Sequence, residues 1–338
     1  MIKKPDFFIV GAPKSGTTAL DKYLSLRPDI FMARKEMHFF GADLGFAPQF
    51  YRRNLDAYLA EFDGQNGQKR AGEASVWYLR SQVAATEIKA FNPDARIIIM
   101  LRDPIEMLHS LYYTFRWDGN EHLPTFAEAL EAQDDRRAGQ RITRQTYFAP
   151  GLVYYEAVRY TEQVRRYFNI FGRDRVHVVI YEDFAANVAE TCRQVLEFLE
   201  VDPTQIPDNF KPVNSNKFVK SRFLRAMLSD RFVRSSVLAI RPLLPRAVFG
   251  AMQKVDARIR KFNSRHGGRP PLDPELCQRL KREFAPEVER LSILLGRDLS
   301  RWKHDYAQLD DLPPSRPRIP TNVAPATAPT ARVENVVV

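Results

Sequence analysis

Phe7-Phe8-Ile9-Val10-Gly11-Ala12-Pro13-Lys14-Ser15-Gly16-Thr17-Thr18 is the stretch of this 338-residue chain from which the fold can be read. The four apolar residues fit a strand buried on both faces. Glycines and small residues follow, and Thr17 to Leu26 then carries a helical pattern that stops before Pro28. A glycine-rich turn between strand and helix lets backbone N–H groups approach an anion closely, and the helix N-terminus adds partial positive charge. Lys, Ser, Gly, Thr and Thr coinciding at this turn read as a phosphate cradle rather than a bare turn.

Moving outward, Arg96 to Leu101 is a second apolar strand, followed at once by a helical stretch from Asp103 to Trp117 in which Pro104 suits the first helical position. A third strand is predicted at Val176 to Ile180, with helical patterns near Pro48–Glu61, Ser81–Phe91, Leu152–Phe168 and Phe184–Leu199. Strands alternating with helices predict a three-layer, P-loop-like α/β fold, a central parallel sheet with helices on both faces. After Asn214 the strand pattern ends, and a last helix from Pro274 to Leu295, kinked or restarted at Pro286, is expected to pack back on the sheet.

Charge is unevenly spread. The net +10 is matched by the segment 217–262 alone, which holds twelve Lys or Arg against Asp230 and Asp256. A uniformly basic coat for nucleic acid is therefore not the pattern, and without a recognition motif no nucleic-acid partner is expected. The segment's Phe, Leu, Val and Arg mixture suits peripheral contact with an anionic membrane, or equally a helical lid with solvated arginines. Residues 313–338 carry six prolines among mostly Thr, Ala, Val and Arg, a composition expected to stay disordered. No apolar run approaches the roughly 20 residues needed to cross a bilayer. The N-terminal charge is not followed by an apolar region of signal-peptide length. Cys192 and Cys277 are the only cysteines and fall on apolar helix faces, as reduced core thiols would. The expected location is cytoplasmic, with membrane-peripheral attachment left open.

The glycine spacing of Gly11 and Gly16 matches the P-loop pattern G-x-x-x-x-G-K-[ST], but Thr17 stands where that pattern has lysine, and the lysine is Lys14, inside the loop. A magnesium-dependent NTPase commonly needs an acidic residue at a strand end, whereas the strand ending at Leu101 runs into Arg102. A nucleotide kinase or NTPase is the weaker reading, and a non-catalytic nucleotide-binding module is a second rival.

Three motifs in order resemble the 3′-phosphoadenosine 5′-phosphosulfate (PAPS)-dependent sulfotransferases, particularly the branch containing the heparan sulfate N- and 3-O-sulfotransferases. Pro13-Lys14-Ser15-Gly16-Thr17-Thr18 resembles the family's 5′-phosphosulfate loop, Lys35-Glu36-Met37-His38-Phe39-Phe40 the segment carrying its catalytic glutamate, and Leu101-Arg102-Asp103-Pro104 with Ser110 its 3′-phosphate site. The resemblance covers roughly 6–302 and implies one sulfotransferase domain over 1–312, with 217–262 as a basic helical insertion or lid. It also implies PAPS as co-substrate and, as acceptor, a hydroxyl or amine of a sugar, lipid or metabolite.

Sulfuryl transfer needs a base for the acceptor's proton and cations for charge growing on the leaving oxygen, and does not require a metal. The resemblance implies Glu36 as base, Lys14 as the cation at the bridging oxygen, and Ser15, Gly16, Thr17 and Thr18 around the 5′-phosphate. His38 is the rival base, since imidazole titrates near neutrality. On residue type alone, Glu36 is equally a solvated charge beside Lys35, and His38 a packed imidazole near Phe39 and Phe40. Arg102 and Ser110 are implied at the 3′-phosphate, although an Arg102–Asp103 ion pair is an equal reading of the residues. In His266-Gly267-Gly268-Arg269-Pro270, Gly268 and Arg269 resemble the loop closing over the nucleotide, or form a plain turn. Gly72-Glu73-Ala74-Ser75 departs from the family's Glu-Lys-Thr/Ser-Pro: Ala74 replaces the lysine, which removes one active-site cation.

Overall fold

The computed structural model describes residues 4–46, 53–144, 146–204 and 269–303, together with the backbone of 217–219 and 264–266. The rest of the basic segment 217–262, Gly268 and the tail 313–338 lie outside the described residues.

In chain order the elements are β1 (Phe7–Gly11), α1 (Thr17–Ser25), β2 (Ile30–Met32), α2 (Leu55–Ala60), β3 (Arg70–Ala74), α3 (Ala84–Phe91), β4 (Arg96–Leu101) and α4 (Pro104–Asp118). After them come α5 (Phe126–Glu131), α6 (Gln133–Arg137), α7 (Tyr160–Phe171), β5 (Val176–Ile180), α8 (Tyr181–Ala186), α9 (Val188–Phe198), β6 (Lys217–Val219), β7 (Ser264–His266) and α10 (Pro274–Leu295). β1 to β5 form one parallel sheet in the order β2-β3-β1-β4-β5. From β1 the chain goes to the edge at β2, returns to β3 beside β1, and then crosses to β4 on the other side. This leaves a crevice at the carboxyl end of β1, where open α/β sheets bind ligands.

Alternation along the buried strands sorts their side chains into two apolar layers. Phe7 and Ile9 of β1 with Ile98 and Met100 of β4 pack against Leu20 and Leu24 of α1, Phe184 of α8, and Cys192, Val195 and Leu196 of α9. Phe8 and Val10 with Ile97, Ile99 and Leu101 pack on the other face, against Ile88 of α3, Leu108 of α4 and Val164 of α7. The expected sheet covered on both faces is therefore the observed one.

Several boundaries differ for physical reasons. The helix expected from Phe184 to Leu199 is two, because the Asn187 side chain accepts from Glu190 N at 3.0 Å and starts α9 afresh. The stretch expected from Leu152 is 3₁₀ turns up to Tyr160, where α7 begins. Within Pro48–Glu61, the described helix is Leu55–Ala60, capped by Asn54. The strand pattern does not end at Asn214, since β6 and β7 pair antiparallel, Lys217 opposite His266. α10 runs through Pro286 unbroken and packs on α7 and α4. Cys192 is buried and Cys277 half-buried, and neither is in a disulfide. No described helix is long and apolar enough to cross a membrane.

β2 and β3 carry no strand signal in the sequence, since β2 is three residues long and β3 reads Arg-Ala-Gly-Glu-Ala. Gly72 is required there: it pairs with Phe7, and a Cβ at this position would lie 2.1 Å from Phe7 Cζ. Gly72→Ala is expected to push the Phe7 ring out of its layer, with an overpacking cost of about 1–3 kcal/mol. A thermal midpoint unchanged from wild type would contradict this.

Candidate active site

The loop leaving β1 is held open by its backbone. Ala12 N donates to Met100 O at 2.6 Å, which ties the loop to β4. Gly16 has φ 89° and stands at the N-terminus of α1 without a side-chain cap or an acidic residue in the first turn. A Cβ at Gly16 would meet the Tyr181 ring at 3.0 Å in a conformation that L side chains avoid, so glycine is required there. The first N–H groups of α1 are thus left for an outside acceptor. Ser15 and Thr17 are buried and Thr18 half-buried, and Ser15 Oγ donates back to Pro13 O at 3.3 Å.

Lys14, in the same loop, has φ 61°. Burial lowers the pKa of its ammonium below the usual lysine range, and the charges of Arg102 and Arg269, then Lys35, push it further down, with Asp118 opposing them. Three further cations therefore act on Lys14.

Arg102 leaves the end of β4, lies 4.5 Å over the Tyr181 ring, donates to Lys14 O at 3.3 Å and pairs with Glu106 Oε2 at 3.0 Å. Arg269 reaches the same carboxylate oxygen at 2.7 Å and also donates to Glu106 O at 3.1 Å. Glu106 thus gathers two guanidinium groups from positions 102 and 269, and an anion replacing that carboxylate would meet both forks. The Arg102–Asp103 ion pair considered from the sequence gives way to this arrangement. Asp103 instead caps α4, accepting from Ile105 N at 2.9 Å and Glu106 N at 3.1 Å. Ser110 is buried two turns along α4. Arg269 stands beside Arg102, and its partner in the expected closing loop, Gly268, lies outside the described residues.

Glu36 and His38 sit beyond the carboxyl end of β3, with φ 61° and 50°. With Lys14 they make up three of the five described non-glycine residues of positive φ, the others being Arg141 and Glu200. Such conformations cost about 1–3 kcal/mol each and persist only where the surroundings enforce them. Here the enforcement is visible. Glu36 N donates to Ala74 O at 2.8 Å, and His38 N donates to Ser75 Oγ at 3.1 Å. Glu36 Oε2 accepts from Val76 N at 3.2 Å and lies 3.3 Å from His38 Nε2, while Lys35 Nζ pairs with Oε1. Glu36 is thus a held carboxylate and not a free surface charge.

Burial lowers the His38 pKa, favouring a neutral ring that donates from Nε2 to Glu36 and leaves the buried Nδ1 without a partner. The ring stacks on Phe46 at 4.3 Å, Phe46 on Phe148 at 4.2 Å, and Phe148 packs against Trp77 at 4.6 Å. Beneath lies Glu73, fully buried, its carboxylate accepting from Tyr58 Oη, Ser75 Oγ and Tyr78 Oη at 2.6 to 2.7 Å. Burial raises the Glu73 pKa and the three hydroxyl donors oppose it, while the bond from Ser75 Oγ fixes Ser75 and, through it, the backbone of His38.

Glu106 is not among the residues singled out from the sequence, and Lys35 and Glu73 stand there inside quoted motifs without a role at the site. The four-residue spacing of Arg102 and Glu106 on α4 is the available signal for the first. The buried network of Glu73 is not readable from its motif, because its three hydroxyl partners converge only in the folded chain.

A family model described as sulfotransferase domain matches residues 4–244. A solved sulfotransferase structure from Alicyclobacillus acidocaldarius superposes with a TM-score of 0.65 at 29% identity, covering 89% of this chain and 99% of that one. The chain is 31% identical over 129 residues to the membrane-associated sulfotransferase kil1 of Dictyostelium discoideum, covering 38% of this chain and 26% of that protein. It is 28% identical over 248 residues to mouse carbohydrate sulfotransferase 15, covering 59% of this chain and 44% of that protein. The chain therefore spans less than half the length of these two relatives.

His109 supports Arg269, with Nδ1 3.5 Å from its Nη1. Burial, and then the Arg269 charge, lower its pKa to about 4. The unfolded chain binds this proton near pH 6.5 and the folded chain does not, so the contribution to stability is full above 6.5 and falls as pH drops from 6.5 to 4. A proton NMR titration should place the His109 imidazole near 4, and a midpoint near 6.5 would show that the packing around it is looser than described.

Proposed function

The chain belongs to the sulfotransferase domain family, and on that premise we propose that it transfers a sulfuryl group from PAPS to a hydroxyl, with an amine as the second choice, of a carbohydrate, lipid or small-metabolite acceptor. The observation that carries this reading is the set of cations at the crevice. Lys14 lies in the fields of Arg102, Arg269 and Lys35 beside the uncapped N-terminus of α1. The donor has two anionic ends, and the chain offers two cationic stations. Lys14 lies in the loop and Lys35 pairs with Glu36, while Arg102 and Arg269 share Glu106.

In this reading Ser15, Gly16, Thr17 and Thr18 hold the 5′-phosphate, while Arg102, Ser110, Gly268 and Arg269 hold the 3′-phosphate. The acceptor's oxygen or nitrogen forms a bond to sulfur, its proton passes to the Glu36 carboxylate, and the bond from sulfur to the bridging phosphate oxygen breaks with its electron pair. Lys14 neutralises the charge that appears on that oxygen. His38 keeps Glu36 in position from Nε2 and is not the base. The stacked rings of Phe46, Phe148 and Trp77 give the His38 side of the site a rigid apolar backing, and the relative named for carbohydrate sulfation supports a sugar among the acceptors. An adenosine-triphosphate-splitting role is disfavoured because Arg102, at the end of β4, puts a cation where a magnesium-binding carboxylate would be needed. The membrane-peripheral location stays within the proposal through the basic segment, whose charge is a property of the sequence.

Calorimetry with 3′-phosphoadenosine 5′-phosphate (PAP) against ATP tests the reading. PAP is expected to bind and ATP to bind far more weakly. Lys14→Ala and Arg102→Ala should each weaken PAP binding by about 1.5–3 kcal/mol, the worth of a charge-assisted hydrogen bond. Glu36→Gln should keep PAP affinity and lose sulfate transfer across a panel of labelled-donor acceptors. Preference for ATP, or wild-type PAP affinity in both cation variants, would end the proposal.

A further inference from the structure

The two oxygens of Glu36 are not equivalent. Oε2 is held by the Val76 N–H, just after β3, and by His38 Nε2, whose own backbone N–H is tied to Ser75 Oγ. Among the described residues, Oε1 is covered by Lys35 Nζ. A base must present one oxygen to the acceptor while the other keeps it oriented, so Oε1 is the oxygen that has to be uncovered. Arg102 and Arg269 likewise rest on a carboxylate, that of Glu106.

The ion pair of Lys35 and Glu36 is only partly buried, with side-chain exposures of 18% and 36%. Solvent screens such a pair, so its net worth is small. An anionic group brought in beside Lys14 competes for the ammonium on favourable terms, because a lysine ammonium turns on a flexible stem and carries three donors. A base must lie beside the group being transferred, so Lys35, paired with the Glu36 carboxylate, is within reach of the sulfuryl group in the reading above, whereas Arg102 and Arg269 share Glu106.

We propose that Lys35 is the cation that recognises the sulfuryl group of the donor, and that its departure from Glu36 Oε1 uncovers the base only when a sulfated donor is bound. This deepens the reading above and rests on it. In the transfer step Lys35 lies on the sulfuryl oxygens while the acceptor's atom bonds to sulfur. The proton goes to Oε1, and the electron pair of the broken bond stays on the phosphate oxygen beside Lys14. The assignment also gives the chain a cation where Ala74 supplies none. Its direct consequence is discrimination between PAPS and PAP, which differ by the sulfuryl group.

Calorimetry of both nucleotides, without acceptor, separates this role from general support of the loop. Lys35→Ala and Lys35→Met are expected to weaken PAPS by about ten-fold, the lower end for a charge-assisted hydrogen bond, and to leave PAP within about two-fold of wild type. Lys35→Arg should keep much of the PAPS preference, and Arg102→Ala should weaken both nucleotides alike. Equal effects of the Ala and Met variants on PAPS and PAP, including loss of both, would overturn the role of Lys35, as would no effect on either. Absence of PAP binding by the wild-type protein would instead overturn the sulfotransferase reading beneath it.

Discussion

The ammonium of Lys14, buried and facing the charges of Arg102, Arg269 and Lys35, is the feature on which the rest of the structure turns. Like charges brought this close disfavour the charged state of the lysine, and its lowered pKa records that. A fold keeps such a cluster only where carboxylates or a bound anion offset it. Glu106 and Glu36 supply that offset, and each is shared: Glu106 serves two arginines, while Glu36 is bound by Lys35 and His38.

What brings these groups together is the strand order. β1 lies between β3 and β4, so the loop carrying Lys14, the strap carrying Lys35, Glu36 and His38, and the turn carrying Arg102 all emerge at one end of the sheet. The strap is pinned to β3 by Glu36 N on Ala74 O and by Ser75 on the backbone of His38. The turn is pinned from behind, where Glu182 Oε1 accepts from Asp103 N at 3.1 Å and Trp302 Nε1 reaches the same carboxylate at 3.2 Å. Residues two hundred positions apart thus fix the approach of Arg102.

Legibility followed burial pattern. β1 and β4 carry apolar runs, and β5 is apolar except for His177, which is how a strand buried on both faces reads, and the loop after β1 is written in contiguous residues. Lys14, Gly16, Arg102 and Glu36 could be singled out because each lies at the end of such a run or inside a short motif. β3 was hidden because its fitness as a strand comes from its neighbours. Gly72 makes room for Phe7, and Glu73 is tolerated because three hydroxyls donate to it, as a buried carboxylate requires. The choice of Glu106 over Asp103 as partner of Arg102 was equally out of reach. It depends on Asp103 being consumed by the N-terminus of α4, a competition that spacing alone does not decide.

Backbone strain and apolar backing at Glu36 and His38 are two sides of one arrangement. Left-handed conformations at both residues turn their side chains toward each other, and they hold only because the surroundings offer no relaxed alternative. The stack from His38 through Phe46 to Phe148 closes the ring side, and the Glu73 network closes the backbone side. The imidazole is left neutral, with one nitrogen spent on Glu36 and the other facing no donor. A histidine so committed cannot leave to shuttle a proton without breaking the stack. That is the physical reason for assigning the proton to the carboxylate and the orientation to the imidazole.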